Sequence, residues 1–522
     1  MRHFEADIFH LAEPKRKGLL PLLFSRFLII ALLILVQLAV PLVFYGWLCE
    51  YVPYLNVFQA LFTLCMVIYL FNCEMDSSAR LTWMFLIAVV PLLGAVLLLF
   101  TQANLGHRKL QVLTAQRIAE SRALLGQDPQ VSEALAHDGS GVDDLSRYLC
   151  RSGCFPVFDG TEVRFFPSGE EKFAAMLEEL KKAEKFIFLE YFIIEEGYMW
   201  GEILRILIEK AKAGVDVRVM YDGMCEVSKL PSDYPKRLRE QGIKAKAFAP
   251  IAPMVSSHYN YRDHRKILVI DGKVAFNGGV NLADEYINRS SPFGHWKDTA
   301  VMLRGRAAQS FTLMFLQMWN IDEKAPDFAP AAIPAERAEA AGYVMPYGDC
   351  PLDREKVGEM VYMDILNRAT DYVHIMTPYL ILDGELETAL RFAAERGVDV
   401  RLIIPGVPDK KLAWALAKSH YRSLLASGVK IYEYTPGFVH AKVFVSDDRK
   451  AVVGTINLDY RSLYHHFECA TFLYDCPCIR EIEADFRATL ARCREVTPES
   501  IRGEKKGLVL AGTLLKFIAP LM

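Results

Sequence analysis

The chain has 522 residues, of which 24% are charged, and its formal net charge is −3. At roughly 100–200 residues per domain, this length predicts about three structural units. The near-neutral charge provides no extended positive field for a polyanion, so no nucleic acid is expected as a partner.

Three long uncharged stretches precede the rest of the chain: Phe27–Leu48, Tyr51–Cys73 and Leu81–Gln102. Each reaches the roughly 20 residues that a bilayer crossing needs. The first has no small-residue exit typical of a cleaved signal peptide. We therefore expect residues 1–105 to form an α-helical membrane region with two to three hydrophobic helices. Residues 106–130 are expected to form a connecting helix.

Basic residues flank this region on both sides, with Lys15, Arg16, Lys17 and Arg26 before it and Arg108, Lys109 and Arg117 after it. Such residues mark the cytoplasmic side of a membrane. Three full crossings cannot place both groups on one side, and Pro91 and Gly94 interrupt the third stretch. Either one stretch is re-entrant or interfacial, or the amino end is forced outward; we expect a cytoplasmic catalytic body.

The remainder of the chain consists of two similar halves. We align "FIFLEYFII" from Phe186 with "HIMTPYLIL" from His374, and "GVDVRVMYDG" from Gly214 with "GVDVRLIIPG" from Gly397. Each half alternates apolar strands with a helix, as a βαβ unit does. The sequence predicts an α/β fold built twice, with domains at 131–325 and 343–500. A Pro- and Ala-rich linker is expected at 326–342, and a tail at 501–522.

The strongest duplication pairs "YRDHRKILVIDGKVAFNGGVN", Tyr261 to Asn281, with "GFVHAKVFVSDDRKAVVGTIN", Gly437 to Asn457. Seven of the 21 aligned positions are identical. The retained polar pairs are His264 with His440, Lys266 with Lys442, Asp271 with Asp447, and Asn281 with Asn457. A repeat retained for packing would keep its apolar pattern, so retained polar residues indicate a catalytic site.

Two imidazoles, two ammonium groups and two carboxamides around one cavity are suited to a phosphodiester. The lysines offset its charge, the asparagines donate hydrogen bonds, and one histidine attacks phosphorus while the other protonates the departing alcohol. This chemistry requires no metal or other cofactor. Asp271 and Asp447 are further catalytic candidates, although an aspartate at a turn often bonds only local backbone.

The pattern H-x-K-x4-D followed by G-G-x-N or G-T-x-N, present twice, resembles the phospholipase D superfamily. The stretches "NLADEYI", "FGHWKDT", "NLDYRS" and "HHFECA" resemble bacterial cardiolipin synthases. The resemblance implies mixed β-sheets flanked by helices, related by a pseudo-two-fold axis. It also implies an enzyme of the bacterial inner membrane that condenses two phosphatidylglycerols into cardiolipin and glycerol.

In that family the amino-terminal motif supplies the nucleophile, which implies His264 as nucleophile and His440 as general acid. A downstream carboxylate orients each histidine, and the matching positions here are Asp298 and Glu468. His466 departs from the asparagine that the resemblance leads us to expect.

Several alternatives remain open: a lipid hydrolase, a phosphatidylserine synthase-like transferase, a phosphodiesterase or nuclease, and a non-catalytic membrane scaffold. The tail "KKGLVLAGTLLKFIAPLM" has lysines beside an apolar run too short to span a bilayer, so it is expected to lie on the membrane. Oligomerisation is possible, and the cysteines are expected to be reduced.

Overall fold

The computed structural model describes residues 55–102, 108–250, 261–333, 335–353, 355–504 and 506–521, with the isolated positions 9, 11, 39 and 43. Its helices are α1 Leu55–Phe71, α2 Ser77–Val89, α3 Pro91–Gln102, α4 Arg108–Ser121, α5 Pro129–His137, α6 Val142–Gly153, α7 Gly169–Lys181, α8 Tyr198–Lys212, α9 Cys225–Ser228, α10 Tyr234–Glu240, α11 Ala308–Trp319, α12 Val357–Arg368, α13 Gly384–Glu395, α14 Lys411–Ala426, α15 Tyr460–Tyr464, α16 Ile479–Leu490, α17 Pro498–Arg502 and α18 Lys506–Ile518. Its strands are β1 Thr161–Phe166, β2 Phe186–Tyr191, β3 Asp216–Asp222, β4 Lys244–Phe248, β5 Arg262–Asp263, β6 Lys266–Ile270, β7 Val274–Gly278, β8 His295–Lys297, β9 Ala300–Gly305, β10 Tyr343–Asp349, β11 Tyr372–Met376, β12 Asp399–Pro405, β13 Lys430–Tyr434, β14 Gly437–Val439, β15 Val443–Ser446, β16 Lys450–Gly454, β17 His466–Tyr474 and β18 Cys493–Glu495.

All strands except β5, β8 and β14 form two sheets with equivalent topology, and β18 is an additional edge strand of the second. The first sheet has the order β1-β9-β7-β6-β2-β3-β4, and the second has the order β10-β17-β16-β15-β11-β12-β13-β18. Strands β2, β3 and β4 pair in parallel, as do β11, β12 and β13, whereas the flanking pairs within each sheet are antiparallel. The α/β class with mixed sheets and flanking helices is therefore confirmed.

Strand register corrects one alignment made from the sequence. Phe186 pairs with Asp216, and the equivalent pair in the second half is Tyr372 with Asp399. The counterpart of Phe186 is thus Tyr372, two residues before His374. The alignment of "GVDVRVMYDG" with "GVDVRLIIPG" agrees with this register.

The two halves share one hydrophobic core. Phe188, Ile267 and Phe311 of the first half belong to the same buried cluster as Val373 and Phe472 of the second. The central strands β6, β7, β15 and β16 are buried at every position, which explains their nearly continuous apolar sequences. Helix α6, which the predicted boundaries assign to the first domain, packs on β10 and α12 of the second half.

The predicted membrane region is only partly described. Phe27–Leu48 lies almost entirely outside the described residues. The third stretch is not one helix, because α2 ends at Val89 and α3 begins at Pro91, whose ring prevents helix continuation from the preceding turn. A side chain at Gly94 would meet the backbone of Ile87 at 3.0 Å, so α2 and α3 pack closely. Within the described part of the chain, no helix has both the length and the apolar character needed to cross a membrane.

The carboxyl-terminal helix α18 packs on α14 and α2. A side chain at Gly512 would lie 2.3 Å from the Ala415 carbonyl oxygen, so α18 and α14 cross in close contact. The Phe517 ring meets Phe85 edge to face at 4.7 Å, and its carbonyl accepts a hydrogen bond from Thr82 Oγ1 at 2.7 Å. The predicted tail therefore contacts both the catalytic body and the amino-terminal helices.

Candidate active site

Two short strands cross between the halves and bring the duplicated histidines together. Strand β5, just before His264, pairs in parallel with β17 of the second half, and β14, just before His440, pairs with β8 of the first half. The backbone N–H of His264 donates to Phe467 O at 2.9 Å, and that of His440 donates to Lys297 O at 2.7 Å. Each histidine is thus held against a strand of the opposite half.

The same crossing supplies a carboxylate to each imidazole. His264 Nδ1 lies 2.8 and 2.9 Å from the two carboxylate oxygens of Glu468, and His440 Nδ1 lies 2.7 Å from Asp298 Oδ2. Both carboxylates are completely buried. A carboxylate at Nδ1 favours the tautomer with its proton on Nδ1, which leaves the Nε2 lone pair of each histidine for chemistry.

Asp298 and Glu468 occupy equivalent positions although their side chains differ in length. A side chain at Gly279 would come within 2.1 Å of Asp298 Oδ1, so glycine is needed where the shorter carboxylate approaches the backbone. In the second half Thr455 takes the place of Gly279, and its hydroxyl donates to Glu468 Oε2. In each half, the residue two positions before the motif asparagine is therefore matched to the size of the carboxylate.

The two lysines lie beside the histidines and are completely or almost completely buried. Lys266 Nζ donates to His264 O at 2.6 Å, and Lys442 Nζ lies 2.9 Å from His440 Nδ1. Burial lowers the pKa of Lys266 to about 8 and that of Lys442 to about 7, although nearby carboxylates partly offset the effect. A bound anion would favour the charged form of both.

Burial and the neighbouring lysines also keep the imidazoles neutral. They hold the pKa of His264 well below its usual value and lower the pKa of His440 to about 4. Burial opposes ionisation of Asp298, but His440 and Lys442 outweigh it and lower the pKa of this carboxyl. A neutral imidazole with a free Nε2 lone pair can act as a nucleophile near neutral pH.

The two motif asparagines differ in their contacts. Asn281 accepts a hydrogen bond from Ile193 N at 3.0 Å and donates to the Tyr286 hydroxyl at 2.7 Å. Its carboxamide thus contacts Tyr286, whose ring lies 5.3 Å from that of His440. Asn457 is buried, and its Oδ1 has no hydrogen-bond partner among the described residues.

The aspartates of the motifs lie at the opposite end of the strands from the histidines. Asp271 accepts hydrogen bonds from the backbone of residues 184–186, and Asp447 from that of residues 370–372. Each aspartate lies seven positions after its histidine, which is about 20 Å along a strand. This placement does not bring the aspartates to the imidazoles, and their contacts are those of a turn anchor.

Three ring-bearing residues to which the sequence assigned no role lie beside the two histidines. Phe192 meets His264 edge to face at 4.9 Å, and Trp296 and His466 lie 5.3 Å from His440 and His264, respectively. Trp296 and His466 each stand two residues before an orienting carboxylate, which is the signal that could have identified them as a pair.

Two groups of described residues place three potential metal ligands within 4.8 Å of one another: His264 with His466 and Glu468, and Glu359 with Asp383 and Glu385. In the first group the Glu468 carboxylate already accepts from His264 and Thr455. We therefore interpret the Glu468 carboxylate of this group as the group that orients His264. In the second, Asp383 caps α13 through Leu386 N and accepts from the Tyr464 hydroxyl.

Sequence comparisons find relatives of known family over most of the chain. The sequence model of the family described as cardiolipin synthase, PLD-like domain, matches residues 176–319 and 362–490. An uncharacterized protein of Streptococcus mutans serotype c is 58% identical over 457 residues, which are 87% of this chain and 99% of that protein. Cardiolipin synthase 2 of Bacillus anthracis is 34% identical over 451 residues, which are 85% of this chain and 87% of that protein.

A solved structure shows the same fold at low sequence identity. The phosphatidylserine synthase of Haemophilus influenzae superposes with a TM-score of 0.53 at 15% identity, covering 69% of this chain and 93% of that chain. Together with the duplicated histidine motifs and the two matched segments, these relationships show that the chain belongs to the cardiolipin synthase family of phospholipase D-like proteins.

Proposed function

We propose that this protein is a phosphatidyltransferase that makes cardiolipin and glycerol from two molecules of phosphatidylglycerol. The observation that carries the proposal is the pair of His–carboxylate units, His264 with Glu468 and His440 with Asp298, each assembled across the two halves. Two equivalent imidazoles with oriented tautomers are suited to a two-step transfer at one phosphorus atom.

In the first step, Nε2 of His264 attacks the phosphorus of the donor phosphatidylglycerol. The P–N bond forms as the bond from phosphorus to the glycerol oxygen breaks, and His440 Nε2–H gives its proton to that oxygen. Lys266 and Lys442 offset the charge of the phosphoryl oxygens as it grows in the transition state. The negative charge of the bound lipid also favours protonation of His440 before the step. The choice of His264 as nucleophile follows the family resemblance.

In the second step, the terminal hydroxyl of the acceptor phosphatidylglycerol attacks the phosphohistidine. His440 takes the hydroxyl proton, the P–N bond breaks, and His264 is regenerated. The first step replaces a P–O bond with a P–N bond and the second restores a P–O bond, so the two steps together exchange one phosphodiester for another and no nucleotide is consumed. Water would give phosphatidic acid instead, so transfer depends on a site that admits the lipid alcohol before water.

We further propose that the substrates come from a bilayer bound at an apolar platform, which we define as helices α1, α2, α3 and α18. Its exposed side chains include Phe58, Leu61, Leu99, Leu510 and Leu514, each more than half exposed. A contiguous apolar surface of this kind marks a membrane or protein contact. Tyr460, three residues after Asn457, packs with Ala519 just beyond α18, so the platform adjoins the second motif. Attachment to a bacterial inner membrane with a cytoplasmic catalytic body is part of this proposal.

The test is to supply the purified protein with phosphatidylglycerol vesicles, a chelator and no cytidine nucleotide, and to identify products by mass. We expect cardiolipin and glycerol in equal amounts, and we expect added glycerol to convert cardiolipin back to phosphatidylglycerol. Phosphatidic acid as the main product would indicate a hydrolase. A strict requirement for a cytidine-activated lipid would indicate a phosphatidylserine synthase-like transferase.

A further inference from the structure

His466 is a buried imidazole beside His264 that the two steps above do not use. Only 8% of the residue is exposed. Its Nε2 has no hydrogen-bond partner among the described residues, and its Nδ1 has the Glu468 carboxylate at 3.5 Å, the outer limit of a hydrogen bond. Buried polar groups in folded proteins are nearly always hydrogen-bonded to protein or to another molecule. The imidazole is therefore suited to a partner that arrives with the substrate.

The His466 ring lies next to His264, the nucleophile of the proposed mechanism. The His466 ring lies 5.3 Å from that of His264 and 6.4 Å from that of Phe192, which also contacts His264. His466 Nδ1 is 3.5 Å from Glu468 Oε1, the oxygen that lies 2.8 Å from His264 Nδ1. The two imidazoles thus converge on one carboxylate.

The first half has a nitrogen-bearing ring at the equivalent position. Trp296 precedes Asp298 by two residues, as His466 precedes Glu468, and its ring lies 5.3 Å from that of His440. The indole nitrogen is likewise buried without a hydrogen-bond partner among the described residues. A buried ring nitrogen thus lies beside each of the two histidines. Its presence in both halves indicates a shared feature of the site.

We propose that His466 is a further phosphate-binding residue, whose ring N–H donates a hydrogen bond to a non-bridging phosphoryl oxygen on the side attacked by His264. This inference rests on the proposed function. Such a bond would hold phosphorus in line with the nucleophile. It would also strengthen in the transition state, when the phosphoryl oxygens gain negative charge.

The experiment compares three replacements with a neighbouring control. His466→Asn keeps an N–H donor, whereas His466→Phe and His466→Leu remove it; the leucine variant keeps the test valid if a phenylalanine ring prevents folding. His465→Phe is the control, because His465 is the adjacent residue and its ring faces Tyr261. Each protein is assayed for single-turnover phosphohistidine formation, for tungstate affinity by calorimetry, and for melting temperature.

We expect the variants without a donor to lose about 10- to 100-fold in both single-turnover rate and tungstate affinity, as for one hydrogen bond to a charged group. The asparagine variant and the control should stay within about fivefold of wild type, with all melting temperatures similar. The proposal would be overturned if the variants without a donor bound tungstate with wild-type affinity. It would also be overturned if the asparagine variant were as impaired as the variants without a donor. Tungstate binding does not depend on lipid identity. A wild-type protein that binds tungstate but makes no cardiolipin would therefore refute the proposed function without refuting the phosphate-binding role of His466.

Discussion

At the scale of single residues, the two histidines of the proposed mechanism have similar environments but are assigned different tasks. Each has a buried carboxylate at Nδ1 and a lysine nearby. Their equivalence means that geometry alone permits either to attack, and a chemical trap is needed to separate nucleophile from general acid.

We expect His264→Ala and His440→Ala each to lower turnover by at least about a thousandfold, because each removes a whole catalytic role. His440→Asn should accumulate a phosphatidyl adduct on His264 when supplied with phosphatidylglycerol, detectable by mass spectrometry of the digested protein. His465→Asn serves as the matched control and should turn over normally. An adduct on His440 in a His264→Asn variant would reverse the assignment.

The lowered pKa of Lys442 predicts that anion binding is coupled to proton uptake. Because Lys442 has a pKa near 7 in the ligand-free site, it is largely neutral at pH 8, and a bound anion raises its pKa. Tungstate binding at pH 8 should therefore take up protons, and affinity should fall as pH rises from about 7 to about 9.

Calorimetry in buffers of different ionisation enthalpy measures this uptake. Lys442→Arg is the matched control, because an arginine stays charged and should take up fewer protons. A wild-type affinity that is constant from pH 7 to pH 9 would show that Lys442 is already charged in the free protein.

At the scale of elements, the hairpins formed by β6 with β7 and by β15 with β16 carry the motifs, and their turns are anchored by aspartates. Asp447 accepts backbone hydrogen bonds from Thr370, Asp371 and Tyr372 at the start of β11. This carboxylate ties the hairpin to its neighbouring strand.

Asp447→Ala should lower the free energy of unfolding by about 2–4 kcal/mol, because it leaves several donors without their charged acceptor. Asp448→Ala is the control: Asp448 has the same φ of 54°, so alanine strains the backbone equally at both positions, and it removes one exposed hydrogen bond, from the Tyr372 hydroxyl, where Asp447→Ala removes several from backbone N–H groups. Urea unfolding gives the difference, and turnover per folded molecule should change less than about threefold. A large loss of turnover at unchanged stability would instead support the catalytic role considered from the sequence.

At the scale of the whole molecule, the apolar platform and the active site belong to one continuous body. Helix α18 contacts α14 of the second half and α2 of the amino-terminal group, so it joins the platform to the catalytic halves. Leu510 and Leu514 on its outer face are 61% and 64% exposed.

The double substitution Leu510→Glu with Leu514→Glu should weaken binding to phosphatidylglycerol vesicles by at least about tenfold, because it places two charges on a surface proposed to enter the bilayer. Ala174→Glu with Lys181→Ala changes net charge by the same amount on the exposed face of α7 and should lower binding far less. Vesicle flotation measures both. Equal losses in the two variants would mean that charge repulsion, and not insertion of α18, explains the result.

The sequence by itself determined the α/β class and the identity of the paired histidines, lysines and asparagines, because a gap-free duplication preserves them in order. It misplaced the counterpart of Phe186 by two residues, since a shift of two keeps every side chain on the same face of a strand and leaves the apolar pattern unchanged. It also listed Asp271 and Asp447 with the catalytic groups, although the motif spacing on a strand already places each aspartate about 20 Å from its histidine.

Only the tertiary structure decided which carboxylate serves which histidine. Glu468 follows the second motif yet holds His264, and Asp298 follows the first yet holds His440. The cause is the non-local pairing of β5 with β17 and of β14 with β8, which no local sequence pattern specifies. The tertiary structure likewise places His466 beside His264. The two residues lie about 200 positions apart in the sequence, so spacing along the chain could not predict their contact.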